Sequence, residues 1–311
     1  LSTNNIVVLS GGGQDYGNGR GRAVAKLAGK QMNENKIAEF EKTNFEKKEG
    51  KKNSTRRKRY LETRDLRLMT FCYEQLFLVR SQMIQWLMRK YKLKNFASAD
   101  IAMRRILKLL KQLELINSSR SGFLDYREMI VINEKGISAL KDKGYLPEHA
   151  VRAEIDETKI NHDFMATEVR LILEKIINCM AYIPDRLLRY HQQPQLPDAQ
   201  IIYFSPKANR EAKIAVEVEM TLKSRERYRK KFIDYQKSQY DLLFYFVNQN
   251  SIKGAILEES KAVTQMVFVC SIDELITKQD KAEMVSNDET IVLGDRFHCA
   301  ANQSGGENNE Q

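Results

Sequence analysis

The 311-residue chain is predicted to be a multi-domain α/β protein. Three observations predict this. Between residues 60 and 146, three amphipathic helices run into a hairpin and a short closing helix. Between residues 160 and 282, a helix, three apolar runs, a basic helix and a further apolar run follow. The segments before and after these two parts are polar and poor in large apolar side chains.

Residues 1–59 are rich in Gly, Asn, Lys and Glu and close on "KKNSTRRKRY", so a basic, mostly disordered arm is expected. "GNGRGR" (residues 17–22) lacks the glycine spacing of a dinucleotide loop and has no βαβ unit after it, so it reads as linker. Arg56, Arg57 and Arg59 are candidates for an arm that tracks phosphates.

In residues 60–146, "TRDLRLMTFCYEQLFL" has Thr63 as its expected cap and apolar side chains at helical spacing. "VRSQMIQWLMRKY" is a second helix, with Ser81 as the expected cap. "SADIAMRRILKLLKQLELI" is a third, capped near Ser98, with Ile101, Ile106, Leu109, Leu110 and Leu113 as its apolar face. "NSSRSGFLDYREMIVI" reads as a hairpin turning near Ser121-Gly122, and "NEKGISALKDKGY" as a closing helix. Three helices and a hairpin make a winged helix-turn-helix pattern, whose third helix enters the DNA major groove. Arg104, Arg105, Lys108 and Lys111 would then face DNA, with Arg120 and Arg127 on the wing.

Residues 147–159 are polar and read as a linker. The second part, residues 160–282, opens on "KINHDFMATEVRLILEKIINCM", an amphipathic helix for which Asp163 is the expected cap. Strands are expected at "RLLRYHQ", "AQIIYFS" and "KIAVEVEMT". A basic helix, "LKSRERYRKKFIDYQKSQY", has Tyr228, Phe232 and Tyr235 inward, followed by strands "LLFYFV" and "QMVFV" and the helix "SIDELITK". Residues 283–311 are expected to form a polar, frayed tail.

This αβββαβ order matches the core of PD-(D/E)xK-nuclease-like domains. Metal-dependent phosphodiester cleavage needs carboxylates converging on a hard cation, with a base or cation beside the attacking water. Asp198 opens one expected strand, and Glu217 and Glu219 share one face of the next, because alternate residues of a strand point the same way. Glu168, on the preceding helix, is a candidate third ligand beside Asp198 and Glu217 for Mg2+ or Mn2+. Glu219 stands where such nucleases carry their lysine. Lys223 and Lys230 are the candidates to replace it. The alternative is a polar-faced strand in a catalytically inactive scaffold.

Charge is distributed unevenly. Residues 1–60 hold 14 Lys/Arg against 6 Asp/Glu, residues 61–145 hold 16 against 9, and residues 146–311 hold 21 against 26. A basic front half concentrates on polyanions, above all double-stranded DNA. No strongly apolar amphipathic face accompanies the basic run, and no membrane span is expected. The four cysteines are scattered, without a CxxC, as expected for reduced thiols in the cytoplasm.

In order, the runs "TRDLRLMTFCYEQLFLVRSQM", "AMRRILKLLKQLELI", "NEKGISAL", "NHDFMATEVRLIL", "LPDAQI" and "VEVEMT" with the following basic helix resemble the replication-relaxation proteins of plasmids and integrative elements. The resemblance covers about residues 62–247. It implies a winged helix joined to a PD-(D/E)xK-like domain and a role in plasmid replication or mobilisation, with replication or mobilisation proteins as partners. It places His162, Asp163, Asp198, Glu217, Glu219, Lys230 and Tyr235 at matching positions. Two readings remain open: a DNA-binding protein with a metal-dependent nicking domain, or a non-enzymatic regulator or replication adaptor whose nuclease-like part serves as an interaction or homodimerisation scaffold.

Overall fold

Helix α1 (Thr63–Glu74) starts one residue earlier than its hydroxyl cap would place it. Glu62 is the cap, and its backbone N–H donates to Asp65 Oδ2 at 3.1 Å, closing a capping box. The helix stops at Glu74, so Leu78–Val79, expected as helix, forms strand β1 instead. Helix α2 (Arg80–Lys90) has Val79 and not Ser81 as its N-cap residue, and Gln82 in its first turn reaches back, its Oε1 accepting from Val79 N at 3.2 Å. Helix α3 (Phe96–Gln112) begins at Asn95, whose Oδ1 accepts from Ala97 N at 2.8 Å, so Ser98 lies inside it. Its buried face is Ala99, Met103, Ile106, Leu107 and Leu110, while Ile101 is exposed.

The structure is a computed structural model and describes residues 60–177, 179–189, 196–205 and 208–297. The expected arm, with Arg56, Arg57 and Arg59, lies outside the described residues, as do Cys299 and residues 298–311.

Strands β2 (Ile116–Arg120) and β3 (Glu128–Ile132) form the expected hairpin, and β1 adds antiparallel to β3, giving the order β1-β3-β2. Helix α4 (Glu134–Asp142) closes this part. Its Gly136 is required by close approach: a Cβ there would lie 2.3 Å from the carbonyl oxygen of Leu115.

Helix α5 (Ile160–Ile176) leads into a seven-stranded sheet. Its strands are β4 (Cys179–Pro184), β5 (Ala199–Ser205), β6 (Arg210–Glu219), β7 (Leu242–Val247), β8 (Met266–Ser271), β9 (Glu283–Val285) and β10 (Thr290–Val292). They lie side by side in chain order, with β6, β7 and β8 parallel and every other pair antiparallel. Helices α6 (Asp185–Leu188), α7 (Arg225–Gln236), α8 (Asn250–Ser260), α9 (Ile272–Lys278) and α10 (Leu293–Phe297) follow among the described residues. The molecule is thus mixed α/β with two sheets. Helix α5 packs on one face of the larger sheet, where Val169 and Leu173 meet Val216 and Val218. On the other face Tyr228, Phe232 and Tyr235 of α7 and Ile252 and Ile256 of α8 meet Leu243 and Tyr245.

Three expectations are corrected. The first strand of the large sheet is Cys179–Pro184, and Asp185–Leu188, which overlaps the expected strand, is a helical turn that starts after Pro184; residues 190–192 of that expected strand lie outside the described residues. Residues 283–297 are not a frayed tail, because Met284, Ile291, Leu293 and Phe297 are buried against the large sheet's core. Asp163 lies in the first turn of α5 and does not cap it, since Lys159 precedes the helix.

The part holding the small sheet is tied to α5. Gln82 Nε2 donates to the carbonyl oxygen of Phe164 at 3.1 Å, and Thr167 Oγ1 donates to Gln75 Oε1 at 3.1 Å. Arg89 Nη1 donates to the carbonyl oxygen of Leu171 at 3.1 Å, and its guanidinium also pairs with Glu174. The polar segment before α5 is held too: Tyr73 OH and Arg186 both donate to the carbonyl oxygen of Val151. Among the described residues, no helix is long and apolar enough to cross a membrane.

Candidate functional site

Two groups of side chains stand out, an acidic cluster in the large sheet and a basic face on α3. Alternation along β6 sends Val216 and Val218 toward α5 and leaves Glu217 and Glu219 on the α7 side. Both carboxylates are buried. Glu217 Oε2 lies 2.7 Å from Lys231 Nζ, and Glu217 Oε1 accepts from Tyr235 OH. Burial pushes the Glu217 carboxyl up to about 7, against the pull of Lys231 and with Asp198 adding to the rise.

Asp198, just before β5, turns to different partners. Its Oδ2 accepts from Val218 N at 2.7 Å and lies 3.3 Å from His162 Nε2. His162 Nδ1 lies 3.1 Å from Asp163 Oδ1. Burial works against the His162 cation, yet the carboxylates of Asp163 and Asp198 outweigh it and hold the imidazolium up to about 10. Asp198 in turn is held below the usual carboxylate range, where His162 overcomes the cost of burial.

Of the two candidate cations, one reaches the acidic pair and the other faces outward. Lys223 Nζ pairs with Glu219 Oε1 at 3.3 Å. Lys230 is exposed, on the rim of a cleft of about 310 Å³ that Glu219, Lys223, Arg227 and Lys231 also line. The lysine that meets Glu217 is Lys231, one position further on. The helical period already contains this result: with Tyr228 and Tyr235 inward, position 231 falls on their face and position 230 on the opposite one.

Glu168 does not join Asp198 and Glu217. It turns toward Gln82 and Gln85 of α2, and burial raises its carboxyl against those hydrogen bonds. A hard divalent cation needs carboxylate oxygens free to coordinate it. Here the Glu217 oxygens are engaged by Tyr235 and Lys231, and one oxygen of Asp198 by His162 and Val218 N–H. Among the described residues no group of three or more His, Cys, Asp or Glu side chains is disposed to hold a metal. The donor set as arranged does not fit Mg2+ or Mn2+, and no cleavage step through such an ion follows from it.

The His162 cation makes a pH prediction. The folded chain keeps its proton up to about 10, whereas an unfolded histidine releases it near 6.5. Its contribution is therefore complete below about 6.5 and is lost as pH rises toward 10. Urea midpoints are expected to fall over that window. His162→Gln should flatten that limb and cost about 1–3 kcal/mol at neutral pH. An unchanged slope in the variant would show that His162 does not carry the charge.

The second group lies on α3. Arg104, Arg105, Lys108 and Lys111 are all exposed, and Arg104, Lys108 and Lys111 border, with Arg80, a groove of about 450 Å³. Arg104 pairs with Asp100 at 2.8 Å and Lys111 with Glu128 at 2.7 Å. Among the described residues Arg105 and Lys108 enter no ion pair. On the hairpin, Arg120 is exposed at the end of β2, and Arg127 lies over the Phe164 ring at 5.7 Å. Helix α7 is also basic, but three of its cations are used internally: Arg225 and Arg229 pair with the buried Glu259 of α8, and Lys231 with Glu217.

Compared with known proteins, the chain matches no family model, no curated protein and no solved structure.

Proposed function

We propose that this chain is a non-enzymatic DNA-binding protein of plasmid or mobile-element replication or mobilisation. In this reading residues 60–146 act as a winged helix-turn-helix that sets α3 into the major groove of duplex DNA. The PD-(D/E)xK-like sheet serves as an adaptor scaffold for replication or mobilisation proteins or for a second copy of the chain. The observation that carries the DNA-binding reading is the exposed basic face of α3, with Arg105 and Lys108 free of carboxylate partners among the described residues. Side chains of this kind bind phosphates directly and reach base edges. The internally satisfied Glu217 and Asp198 favour a scaffold over a metal-dependent nuclease.

Duplex binding as a function of salt tests this reading. The wild-type chain is expected to bind duplex DNA with an affinity that falls steeply with salt. An Arg105→Ala/Lys108→Ala chain should bind more weakly at every salt concentration, with a log–log salt slope smaller by roughly 1–2. Equal affinity and slope for variant and wild type would remove α3 as the DNA-contacting face.

A further inference from the structure

The tip of the hairpin carries side chains that phosphate binding does not require. Leu124 is buried with Phe77, Val79, Met129, Val131 and Ile160, so it anchors the connection between β2 and β3. Ser121 Oγ accepts from Phe123 N at 3.2 Å and fixes the start of the turn. With Leu124 turned inward, Phe123 and Tyr126 are turned out, 58% and 74% exposed. Asp125 and Tyr126 both hold left-handed backbone, with φ of 50° and 57°. For a bulky tyrosine this conformation is strained, and the turn that holds it is anchored by Leu124 beneath while the Tyr126 ring stays exposed. Two exposed aromatic rings within four residues, one of them on strained backbone, mark a contact surface.

Beside this tip lies a cleft of about 510 Å³, a size suited to a small planar ligand. Its lining includes the buried Met129 and Ile160, with Ile155, and the exposed Arg120, Phe123 and Glu157. The combination is an apolar floor, an aromatic ring, a guanidinium and a hydrogen-bonding carboxylate. A flat group with apolar faces, a polar edge and an attached anion meets all four demands. We propose that this cleft takes an unpaired DNA base, stacked on Phe123, with Arg120 on the adjoining phosphate and Glu157 at the base edge.

The inference rests on the DNA-binding reading and adds to it: the protein would hold a duplex through α3 and an unpaired base at the hairpin. Stacking on aromatic side chains tolerates any base, so the site would recognise an opened or gapped strand and not a sequence. The test uses the full chain and two labelled oligonucleotides, an intact duplex and the same duplex with a short gap containing 2-aminopurine. Wild type is expected to quench the 2-aminopurine and to prefer the gapped form. Phe123→Ala should lose the quenching and weaken binding to the gapped form by roughly 5- to 150-fold, with intact-duplex affinity unchanged. Phe123→Trp should keep both, and because the side chain is exposed, circular dichroism should show both variants folded.

Equal binding of both forms by wild type and Phe123→Ala would overturn the inference and leave the duplex reading standing. Failure of wild type to bind either form would remove both. A Phe123→Ala chain with wild-type DNA affinity but an altered sedimentation coefficient would assign the rings to a protein contact, which also overturns it.

Discussion

An Arg170→Met chain is expected to lose about 3–5 kcal/mol of stability in urea denaturation. Arg170, on α5, is buried between the rings of Phe71 and Tyr182, 4.6 and 4.7 Å from their centroids. Its guanidinium pairs with Glu74 at 2.7 Å and with Glu174 at 2.8 Å. Methionine can fill part of the slot between the rings, but it leaves two largely buried carboxylates without this partner. Glu174 keeps Arg89, whereas Glu74 has no second ion pair among the described residues. An Arg170→Met/Glu74→Gln chain should therefore recover a part of the loss. Arg170→Lys should fall between, because an ammonium keeps the charge but not the planar fork or its stacking. A loss below about 1 kcal/mol for Arg170→Met would show that the ring sandwich and ion pairs contribute little net. The position matters for function because Phe71 and Glu74 belong to α1, while Tyr182 belongs to β4. With the Gln82, Gln75 and Arg89 contacts to α5, this side chain holds the part that presents α3 to the large sheet. The variant thus tests whether DNA contact and scaffold move together.

The elements legible in the sequence share a physical feature: their burial repeats at the local period. Leu242–Val247 is a continuous apolar run and Ala199–Ser205 holds one at Ile201–Phe204, and both are strands over those spans. Helix α7 announces itself through Tyr228, Phe232 and Tyr235. Helix α8 does not, because "NSIKGAILEES" has a central glycine and only Ile252 and Ile256 as large buried apolar side chains. Strands β9 and β10 have three residues each, too few for alternation to register, and their order comes from packing on a sheet formed far earlier in the chain. Strand β4 merges in the sequence with the helix before it, since the apolar period runs past Ile176 without a glycine or proline stop.

The acidic cluster is legible to the same depth. Asp198, Glu217 and Glu219 can be found from sequence, because strand alternation fixes their face. The partners that satisfy them cannot, because Lys231, Val218 N–H and the imidazole of His162 reach them only through tertiary packing. For helix α3 the basic residues set outside the expected apolar stripe are exposed, and the apolar face is legible only in part. A cap three residues earlier, at Asn95, sets its start, and Ile101 turns outward. The aromatic hairpin tip is invisible at that level. Nothing in "SGFLDYRE" says which of its apolar residues is the anchor until Leu124 is seen buried.

Replacing Lys231 with methionine should destabilise the chain by about 3–5 kcal/mol at pH 8.5, and by much less at pH 5.5. In the wild type Lys231 Nζ sits 2.7 Å from Glu217 Oε2, with Tyr235 OH on the other oxygen and Tyr245 alongside in register. Without the ammonium, Glu217 would be a charged group in an apolar layer with one neutral donor. Its escape is to take up a proton. Burial already raises its carboxyl to about 7, and removal of Lys231 raises it further. A carboxyl whose folded value stands above its unfolded one contributes fully at pH below the unfolded value, near 4.5, and loses that contribution as pH rises through the folded value. The variant's deficit must therefore grow with pH. Adding Glu217→Gln removes the charge that needed compensating, and Tyr235 can still donate to the amide oxygen. The Lys231→Met/Glu217→Gln chain should recover most of the stability and lose the pH dependence, a coupling that a double-mutant cycle reads directly. The same three proteins decide between scaffold and nuclease. With Mg2+ or Mn2+ and supercoiled plasmid, a scaffold predicts equal, background-level nicking by wild type and the double variant, with duplex affinity unchanged because α3 is untouched. Nicking by wild type that vanishes in the stable double variant would make Glu217 and Lys231 a catalytic pair and overturn the adaptor reading.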